Sequence, residues 1–411
     1  MVDFLSLLES WGEAQGFFVS GGVRADGAKI AGLAREAMRT ASADKLRVIG
    51  PSEDLSDAIV ALGASSRASG RAVLQVDGAT PVDERSDRSI QGGELVIFSS
   101  GSTGRPKPTV WTWQALLNAP IGAASRTRRA IVIQYPLNCF AGVQALIYAL
   151  RNGCGIYFNS GPNWLAQLEA HRNDDPVCIL ATPSFWRAWL FGREGRVRCN
   201  PPLELIALGG EPADQGLLTR LTLIFPNVRL AHTYASTEFG SLFAVIDGAE
   251  GFPASLLERP LASGAKIKID AGELFVERDG GWRATGDLVE IRGDRVIFAG
   301  RKSELVNVAG WTVSLPLIEA ALHAVPGVVG MKATSRPNAI AGHVIVLEVK
   351  LAPSMDAEVV REALLQQARI RLAPHERPRA ICFVDELRLT HSGKALRRSV
   401  DPKSERDCEP A

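Results

Sequence analysis

The sequence predicts an α/β protein with a large N-terminal domain of α/β layers, a small β-rich subdomain and a C-terminal α+β domain. Short apolar runs alternate with helical patterns through much of the chain, which is typical of sheets covered by helices. From about Gly264 the runs shorten and are separated by Gly and Asp, as in a β-rich subdomain. After Arg301 a compact region of common domain size has strands and helices of its own.

Each element follows from its local pattern. The N-terminus has five apolar residues on one face of a short helix: Phe4, Leu5, Leu7, Leu8 and Trp11. In the large domain we predict strands at 94–98 and 130–134, helices at 113–117 and 141–150, and an abbreviated α/β layer containing 17–22 and 46–51. The β-rich subdomain has strands at 266–269, 273–276, 288–291 and 295–298. The C-terminal domain is predicted to be βαβαβ-like, with strands at 306–308, 343–349 and 380–384 and helices at 315–325 and 357–371, followed by a frayed tail.

Length and charge restrict the function. A chain of 411 residues exceeds what one hydrophobic core usually supports, so we expect two or more domains. The 46 Lys and Arg residues nearly balance the 45 Asp and Glu residues, so there is no overall basic field to attract nucleic acid or an anionic membrane. Because the N-terminus lacks a basic region and no apolar run is long enough to span a membrane, we expect a cytoplasmic protein.

The cysteine spacing predicts free thiols. The six cysteines show neither a C-x-x-C pair nor zinc-like spacing with the histidines; they are Cys139, Cys154, Cys178, Cys199, Cys382 and Cys408. We therefore expect buried thiols in a reducing compartment, with no disulfide framework and no structural metal.

A glycine- and hydroxyl-rich segment is the strongest chemical signal. An apolar run, 95–98, leads directly into Ser99, Ser100, Gly101, Ser102, Thr103 and Gly104, and Lys107 follows. The glycines allow successive N–H groups to converge on an anion, while the hydroxyls add donors and Lys107 adds charge. The segment therefore predicts a polyphosphate site. A flexible surface turn is the alternative, but linkers do not usually follow an apolar strand directly. Because Lys107 lies between two prolines, the segment is not a Walker A loop.

Five further motifs follow in order, and the whole set resembles the adenylate-forming superfamily, which includes acyl-CoA synthetases, nonribosomal peptide adenylation domains and luciferases. They are the Gly-Gly turn at 208–211, a Y-G-x-T-E-like segment at 234–238 with Ala235 in place of Gly, T-G-D at 285–287, Gly300 and Arg301 with Gly310, and the lysine motif at 389–394 with Arg397. Each short motif alone is weak evidence, since turns of such composition are common. Their order from about residue 90 to residue 398 identifies the family.

The resemblance implies ATP and Mg²⁺ as cofactors and gives roles to the motif residues. The segment 99–104 and Lys107 would bind the phosphates, and the adenine would lie beside Gly209, Gly210, Glu211 and Tyr234. Thr237 would contact the α-phosphate and Glu238 the metal, while Asp287 and Arg301 would bind the ribose hydroxyls. Lys394 would lie between the substrate carboxylate and the α-phosphate, where a fixed cation stabilises the developing charge. The predicted catalytic residues are Lys394, Thr237 and Glu238.

The resemblance also implies a mobile C-terminal domain. We expect an ATP- and acid-binding domain at 1–300, a hinge at 301–303, a lid domain carrying Lys394 at 304–400 and a polar tail at 401–411. Ser303 occupies the hinge position, where Asp or Lys is typical, and the backbone there must absorb the rotation. Gly310 and Trp311 lie where the family often binds a pantetheine arm, although Trp311 could equally cap a strand.

The segment 135–142 borders the acid pocket in the family. Amino-acid-activating members have an Asp there for the substrate ammonium, and the matching position here is Phe140, next to Cys139. A buried ammonium without a carboxylate partner is costly, so we expect an uncharged aryl or alkyl acid and disfavour α-amino acids. Cys139 and Phe140 could instead be plain core residues. Further pocket candidates are Ser184, Leu208, His232 and Phe239, of which His232 could equally be structural.

These features lead to one functional hypothesis with alternatives. The leading hypothesis is an acyl- or aryl-CoA synthetase, or a relative that loads carrier-protein phosphopantetheine, so that CoA or phosphopantetheine is the co-substrate. An amide-forming ligase with an amine acceptor is an alternative. A non-catalytic binding protein on the same fold is another, disfavoured because Lys107, Glu238, Asp287, Arg301 and Lys394 are all present together.

Overall fold

The structure is a computed structural model. It describes residues 3–20, 23–40, 47–50, 54–66, 71–76, 93–99, 106–118, 130–158, 164–170, 176–190, 203–278, 280–323, 325–338, 340–353, 355–387 and 408–410.

The described residues form ten helices and twenty-three strands. The helices are α1 Phe4–Glu13, α2 Gly27–Thr40, α3 Leu55–Ser65, α4 Trp113–Asn118, α5 Phe140–Arg151, α6 Trp164–Ala170, α7 Pro183–Leu190, α8 Gln215–Ile224, α9 Leu315–Leu322 and α10 Ala357–Arg371. The first twelve strands are β1 Phe17–Ser20, β2 Val23–Asp26, β3 Arg47–Ile49, β4 Arg71–Leu74, β5 Glu94–Ser99, β6 Lys107–Thr112, β7 Ala130–Ile133, β8 Gly155–Phe158, β9 Val177–Ala181, β10 Leu203–Gly209, β11 Arg229–Ser236 and β12 Gly240–Val245. The others are β13 Phe252–Pro253, β14 Ile267–Asp270, β15 Glu273–Arg278, β16 Gly281–Arg292, β17 Arg295–Arg301, β18 Leu305–Val308, β19 Trp311–Ser314, β20 Val328–Asn338, β21 Gly342–Leu351, β22 Ala380–Phe383 and β23 Cys408–Pro410.

An eight-stranded sheet forms the centre of the large domain, in the order β12-β11-β10-β9-β7-β8-β1-β2. Its inner strands are parallel. Strands β7, β8 and β9 are buried on both faces, as expected for a sheet covered by helices on both sides. One face packs against α1 and α5 through residues such as Phe4 and Leu146. The other face packs against a cluster that includes Trp164 and Trp186. The α/β prediction is confirmed.

A second sheet of the large domain carries the polyphosphate segment. Its order is β3-β4-β5-β6, and β5 and β6 pair antiparallel from Glu94 with Thr112 to Ser99 with Lys107. The segment between Ser99 and Lys107 therefore joins two strands that meet at its base. The segments 17–22 and 46–51, predicted to form one abbreviated α/β layer, contain β1 and β3, which belong to different sheets.

The β-rich subdomain is a five-stranded sheet in the order β13-β17-β16-β15-β14. The four predicted strands are confirmed, but β16 is longer than predicted because it begins at Gly281. The T-G-D motif thus lies inside a strand, next to a shift in register between Leu288 and Val289. Pairing with the neighbouring strand β17 fixes the position of the T-G-D motif.

The C-terminal domain differs from the predicted βαβαβ pattern. Strand β20, which the sequence did not predict, forms a long antiparallel pair with β21, and β22 then pairs parallel to β21 across α10. The prediction of a frayed tail was wrong for 408–410, because β23 pairs antiparallel with β22. The main-chain hydrogen bonds of that pairing do not depend on an apolar sequence pattern.

The cysteine prediction was wrong for Cys382, which is disulfide-bonded. Cys139, Cys154 and Cys178 are buried and form no disulfide, as expected. The register of β22 and β23 aligns Cys382 with Cys408 across the two strands. None of the helices in the described parts of the chain has the length and apolarity needed to cross a bilayer.

Candidate active site

Asp287 is the centre of a hydrogen-bonded group where β11, β16 and β17 meet. The Tyr234 hydroxyl donates to Oδ2 of Asp287 at 2.5 Å, and Nε of Arg301 donates to Oδ1 at 2.8 Å. Asp287 and Arg301 are partners in the β16–β17 register, which explains why they meet although they are 14 residues apart. The structure thus brings together three residues for which the sequence predicts nucleotide contacts.

The protonation of this group is fixed by burial and charge. Burial and the Asp287 carboxylate raise the pKa of Tyr234 well above its usual value, so the phenol keeps its proton and remains a donor. Burial opposes the charge of Arg301, but the Asp287 carboxylate outweighs this effect and raises the pKa of the guanidinium. Near neutral pH the Tyr234 phenol and the Arg301 guanidinium therefore both donate to the Asp287 carboxylate.

A cavity of about 300 Å³ lies beside this group and is lined by Glu238, Phe239, Arg283, Ala284, Thr285 and Arg301. The carboxylate of Glu238 is on an exposed residue, and Thr285 is held by its hydroxyl, which donates to the Leu274 carbonyl at 2.8 Å. A cavity with one carboxylate and two guanidiniums suits an anion accompanied by a cation. The sequence did not predict Arg283, although it lies only two residues before the T-G-D motif.

Ser99 and Lys107 lie at the base of the polyphosphate segment. They are partners at the end of the β5–β6 pair, and the Ser99 hydroxyl lies 3.5 Å from the Lys107 carbonyl. Lys107 is exposed. Five predicted phosphate-binding residues lie outside the described residues: Ser100, Gly101, Ser102, Thr103 and Gly104. The predicted catalytic residue Lys394 also lies outside them.

The Gly-Gly turn follows β10 directly. Gly210 has φ +83°, and a Cβ on Gly209 would lie 3.0 Å from the Tyr135 hydroxyl, so the turn approaches that side chain closely. Glu211 accepts two hydrogen bonds from Ser184, from its amide at 3.0 Å and its hydroxyl at 2.7 Å. Ser184, a predicted pocket residue, therefore connects the start of α7 to this turn.

The predicted acid-pocket residues do not all face the same space. Phe140, at the start of α5, packs on Trp111 with ring centroids 5.4 Å apart, and Cys139 donates to the Pro136 carbonyl. Phe239 lines the cavity beside Glu238. Leu208, by contrast, belongs to the apolar cluster under the central sheet.

His232 has a structural contact. Its Nε2 lies 3.1 Å from the Ala249 carbonyl, and burial lowers its pKa. This contact ties β11 to the loop that leads into the β-rich subdomain.

The predicted hinge is bridged by a hydrogen bond. Ser303 lies in a short 3₁₀ turn, Lys302–Glu304, after β17. The Ser314 hydroxyl, beyond the hinge, donates to the Ala299 carbonyl before it at 2.9 Å. Gly300 has φ +109°, and a Cβ there would lie 2.6 Å from the Ser314 hydroxyl. The chain on the two sides of Ser303 is therefore in close contact.

Gly310 and Trp311 lie at the turn between β18 and β19. The Asn307 side chain accepts from the Gly310 amide at 3.0 Å, and Gly310 has φ +88°. Trp311 is 62% exposed and stacks on His375, with ring centroids 4.7 Å apart and planes 10° from parallel. The sequence did not single out His375, which is brought to Trp311 by the fold.

The donor set also bears on metal binding. Within the described ranges, no three His, Cys, Asp or Glu side chains are grouped as a protein-held metal ion requires. Glu238 is a single exposed carboxylate beside the cavity. Such a site fits Mg²⁺, which is commonly bound by one or two carboxylates together with substrate phosphates.

Two family models match the chain. The AMP-binding enzyme model matches residues 33–293, and the AMP-binding enzyme C-terminal domain model matches residues 317–394. The first match alone extends over more than half of the chain.

The chain is also similar to known proteins. It is 24% identical to the 4-coumarate–CoA ligase-like 5 of Oryza sativa subsp. japonica, over 74% of this chain and 61% of that protein. It is 28% identical to the phenyloxazoline synthase of Mycobacterium tuberculosis, over 74% of this chain and 24% of that protein. The chain therefore covers less than two thirds of the length of either relative. The anthranilate CoA ligase AuaEII, solved with anthranoyl-AMP, has the same fold, with TM-score 0.75, 15% identity and coverage of 96% of this chain and 95% of the other.

Proposed function

Since this chain belongs to the AMP-binding enzyme family, we propose that it activates an uncharged aryl or alkyl carboxylic acid with ATP and transfers the acyl group to the thiol of CoA. In the first step a carboxylate oxygen attacks the α-phosphorus of ATP, and pyrophosphate leaves. In the second step the thiol loses its proton and attacks the acyl carbon, and AMP leaves. The observation that carries the proposal is the group Tyr234–Asp287–Arg301 beside a cavity lined by Glu238 and Arg283.

The proposed nucleotide contacts combine this geometry with the roles that the family resemblance implies. Asp287 accepts hydrogen bonds from the two ribose hydroxyls, and Arg301 beside it donates to them. Arg283 and the segment that ends at Lys107 bind the phosphates, and Thr237 donates to the α-phosphate. Glu238, together with the substrate phosphates, would hold Mg²⁺, which would supply positive charge to neutralise the leaving pyrophosphate. The family resemblance assigns to Lys394, which lies outside the described residues, the stabilisation of the charge that develops between the two reacting anions.

An uncharged acid is supported by the surroundings of Phe140. Its ring packs on that of Trp111, and a Cβ on Gly240 would lie 3.2 Å from Trp111 and 3.8 Å from Phe140. These contacts are apolar, so an ammonium group there would lose its hydration without gaining a carboxylate partner. The names of the similar proteins refer to coumarate and anthranilate, both aryl acids.

An exposed basic and aromatic surface supports CoA as the acceptor. Around the Trp311–His375 stack, the stretch 369–379 has four arginines (Arg369, Arg371, Arg377 and Arg379) and one acidic residue, Glu376. Arg377 donates to the carbonyls of Leu372 and Arg369, which fixes the end of α10 against this stretch. A ring platform with guanidiniums suits the phosphorylated adenosine of CoA. We place the reaction in the cytoplasm because three buried cysteines form no disulfide. The disulfide of Cys382 is unusual for that compartment.

Carboxylate-dependent pyrophosphate release tests the proposal. The purified chain is given ATP, Mg²⁺ and a panel of aryl, fatty and amino acids, with Lys394→Ala as the control. We expect release with aryl or alkyl acids, loss of release in the variant, and thiol consumption when CoA is added. If a carrier-protein thiol or an amine is consumed but CoA is not, that group is the acceptor in place of CoA. ATP binding without release for any acid would favour the non-catalytic alternative.

A further inference from the structure

Two side chains outside the family motifs hold the turn that carries Thr237 and Glu238. The indole N–H of Trp111, on β6, donates to the Thr237 carbonyl at 2.9 Å. The Arg278 Nη1, at the end of β15, donates to the next carbonyl, that of Glu238, at 2.5 Å. Two adjacent carbonyls of one turn are thus each bound by a side chain from a different sheet.

The two donors also contact each other. The Arg278 guanidinium lies 5.3 Å from the centre of the Trp111 ring, within the range of a cation–π contact. Trp111 is 7% exposed, so its ring cannot move without opening a packed site. The pair therefore forms a rigid unit, which we term the turn clamp (Trp111 and Arg278).

The turn needs such support because its functional side chain is exposed. Glu238 is exposed beside the cavity, and a side chain in solvent has no packing to fix its direction. Its position must come from the backbone on which it lies. Phe239 extends the restraint, since its amide donates to the Ser236 hydroxyl at 3.0 Å. The guanidinium of Arg278 also adds positive charge next to the place where a polyphosphate would bind.

We propose that Trp111 and Arg278 are positioning residues for the Mg²⁺–ATP complex, acting through the carbonyls of Thr237 and Glu238. The inference rests on the proposed function, in which these two residues meet the α-phosphate and the metal. Trp111 also contacts Phe140, so one side chain connects the metal-binding turn to the acid pocket. No motif of the family predicts either residue.

The test uses variants that remove a donor and keep the shape. Trp111→Phe keeps an aromatic ring against Phe140 but removes the N–H, and a hydrogen bond of this kind is worth roughly a fivefold change in affinity. Arg278→Gln removes a charged donor, so its effect should be larger, about tenfold or more. Arg278→Lys should recover part of the loss because it keeps the charge. Trp282→Phe and Arg292→Gln are matched controls, since Trp282 is 42% exposed and Arg292 forms a surface ion pair with Glu290, two residues away.

The readouts are the dissociation constant of Mg²⁺–ATP by calorimetry without acid, the Mg²⁺ dependence of pyrophosphate release, the KM values for ATP and for acid, and the melting temperature. In the Trp111→Phe and Arg278→Gln variants we expect the dissociation constant of Mg²⁺–ATP, the KM for ATP and the Mg²⁺ concentration needed for pyrophosphate release to rise about fivefold and about tenfold, respectively. The KM for acid should change less than about twofold, and the melting temperatures should stay near that of the native chain. Unchanged Mg²⁺–ATP affinity in both Trp111→Phe and Arg278→Gln would overturn the inference. Equal losses in every parameter together with lower melting temperatures would also overturn it, because they indicate a purely structural role. Calorimetry needs no turnover, so failure of the proposed reaction is detected separately from failure of the clamp.

Discussion

Tyr234 and Arg301 occupy both oxygens of the Asp287 carboxylate, the phenol at 2.5 Å and the guanidinium at 2.8 Å. The Tyr234 ring packs between Phe243 and Phe298, with centroid distances of 5.3 and 5.2 Å, so the phenol is held in place from both sides. The carboxylate is therefore oriented before any nucleotide arrives. Each oxygen still has a second lone pair for a ribose hydroxyl.

Asp287→Asn should weaken nucleotide binding. The amide retains one acceptor and turns a donor toward Tyr234 or Arg301, so the ribose loses hydrogen bonds to a charged group, each worth about 1.5–3 kcal/mol. We expect the dissociation constant of AMP to rise roughly tenfold to a hundredfold, with little remaining preference for AMP over 2′,3′-dideoxy-AMP. Calorimetry with both ligands measures this.

Asp247→Asn is the matched control. Asp247 also binds an arginine, Arg295, at 2.7 Å, but it lies on the loop after β12 and does not line the cavity. Its variant should bind AMP as the native chain does. A normal AMP affinity in Asp287→Asn would contradict the ribose role.

Trp311→Ala should reduce the advantage of CoA over pantetheine as acceptor. Stacking on an exposed ring is worth about 1–3 kcal/mol per base. If the Trp311–His375 stack binds the adenosine of CoA and not its pantetheine arm, the KM for CoA should rise about tenfold while that for pantetheine, which has no adenosine, stays constant. Thiol consumption with both acceptors measures the ratio.

Arg371→Gln should act in the same direction with a stronger dependence on salt, because its contribution is electrostatic. Pyrophosphate release should remain normal in both variants. Equal changes in the KM values for CoA and pantetheine would show that the adenosine of CoA binds elsewhere.

Gly142 and Gly32 should respond to alanine in opposite directions. Gly142 is in the first turn of α5, and a Cβ there would lie 2.0 Å from the Pro136 carbonyl oxygen. The added methyl must displace the backbone of the 135–142 segment, so we expect a loss of about 3 kcal/mol in the free energy of unfolding. A Cβ on Gly32, in α2, meets nothing within 4 Å, so Gly32→Ala should stabilise by about 0.5–1 kcal/mol. Urea unfolding of both variants measures this. If Gly142→Ala were as stable as the native chain, the 135–142 segment would be free to move.

Elements with strong local signals could be predicted from the sequence, and elements fixed by pairing could not. Helix α10 was predicted at its observed bounds because a regular apolar face follows Asp356, whose side chain accepts from the amides of Glu358 and Val359. Strand β20 was missed because Gly330, Lys332 and Pro337 interrupt any apolar alternation. It exists because of its register with β21, in which Lys332 is 2% exposed and lies opposite Glu348.

The same limit applies to the candidate site. The motif order led to Tyr234, Asp287 and Arg301, which the structure brings together. Trp111 lies 126 residues from its hydrogen-bond partner Thr237, and Arg278 lies 40 residues from Glu238. No local spacing encodes contacts of that range, so only the packing of three sheets shows them.

Acidification below pH 6.5 should destabilise the chain through His323, at the end of α9. Burial, followed by the positive charge of Arg187, lowers its pKa from 6.5 to about 4, although Asp214 attracts the proton. Arg220, also nearby, acts in the same direction as Arg187. The folded chain therefore binds fewer protons than the unfolded chain between pH 4 and 6.5, so stability is present above this window and is lost as the pH falls through it. The loss should reach about 2 kcal/mol at pH 5.

His323→Gln should remove this pH dependence, since glutamine does not titrate, and should leave stability at pH 7.5 nearly unchanged because the native histidine is neutral there. Burial also lowers the pKa of His232, so the native slope has a second source, and His232→Gln in the same background should flatten it further. Asp214 contributes in the same sense but at lower pH: burial raises its pKa, Arg187 outweighs burial and lowers the pKa below 3.8, and the stability it contributes is lost only when the pH falls below that value. Urea unfolding at half-unit steps from pH 5 to 7.5 separates these effects. A slope that persists in the double variant would mean that carboxylates, and not the buried histidines, set the acid sensitivity.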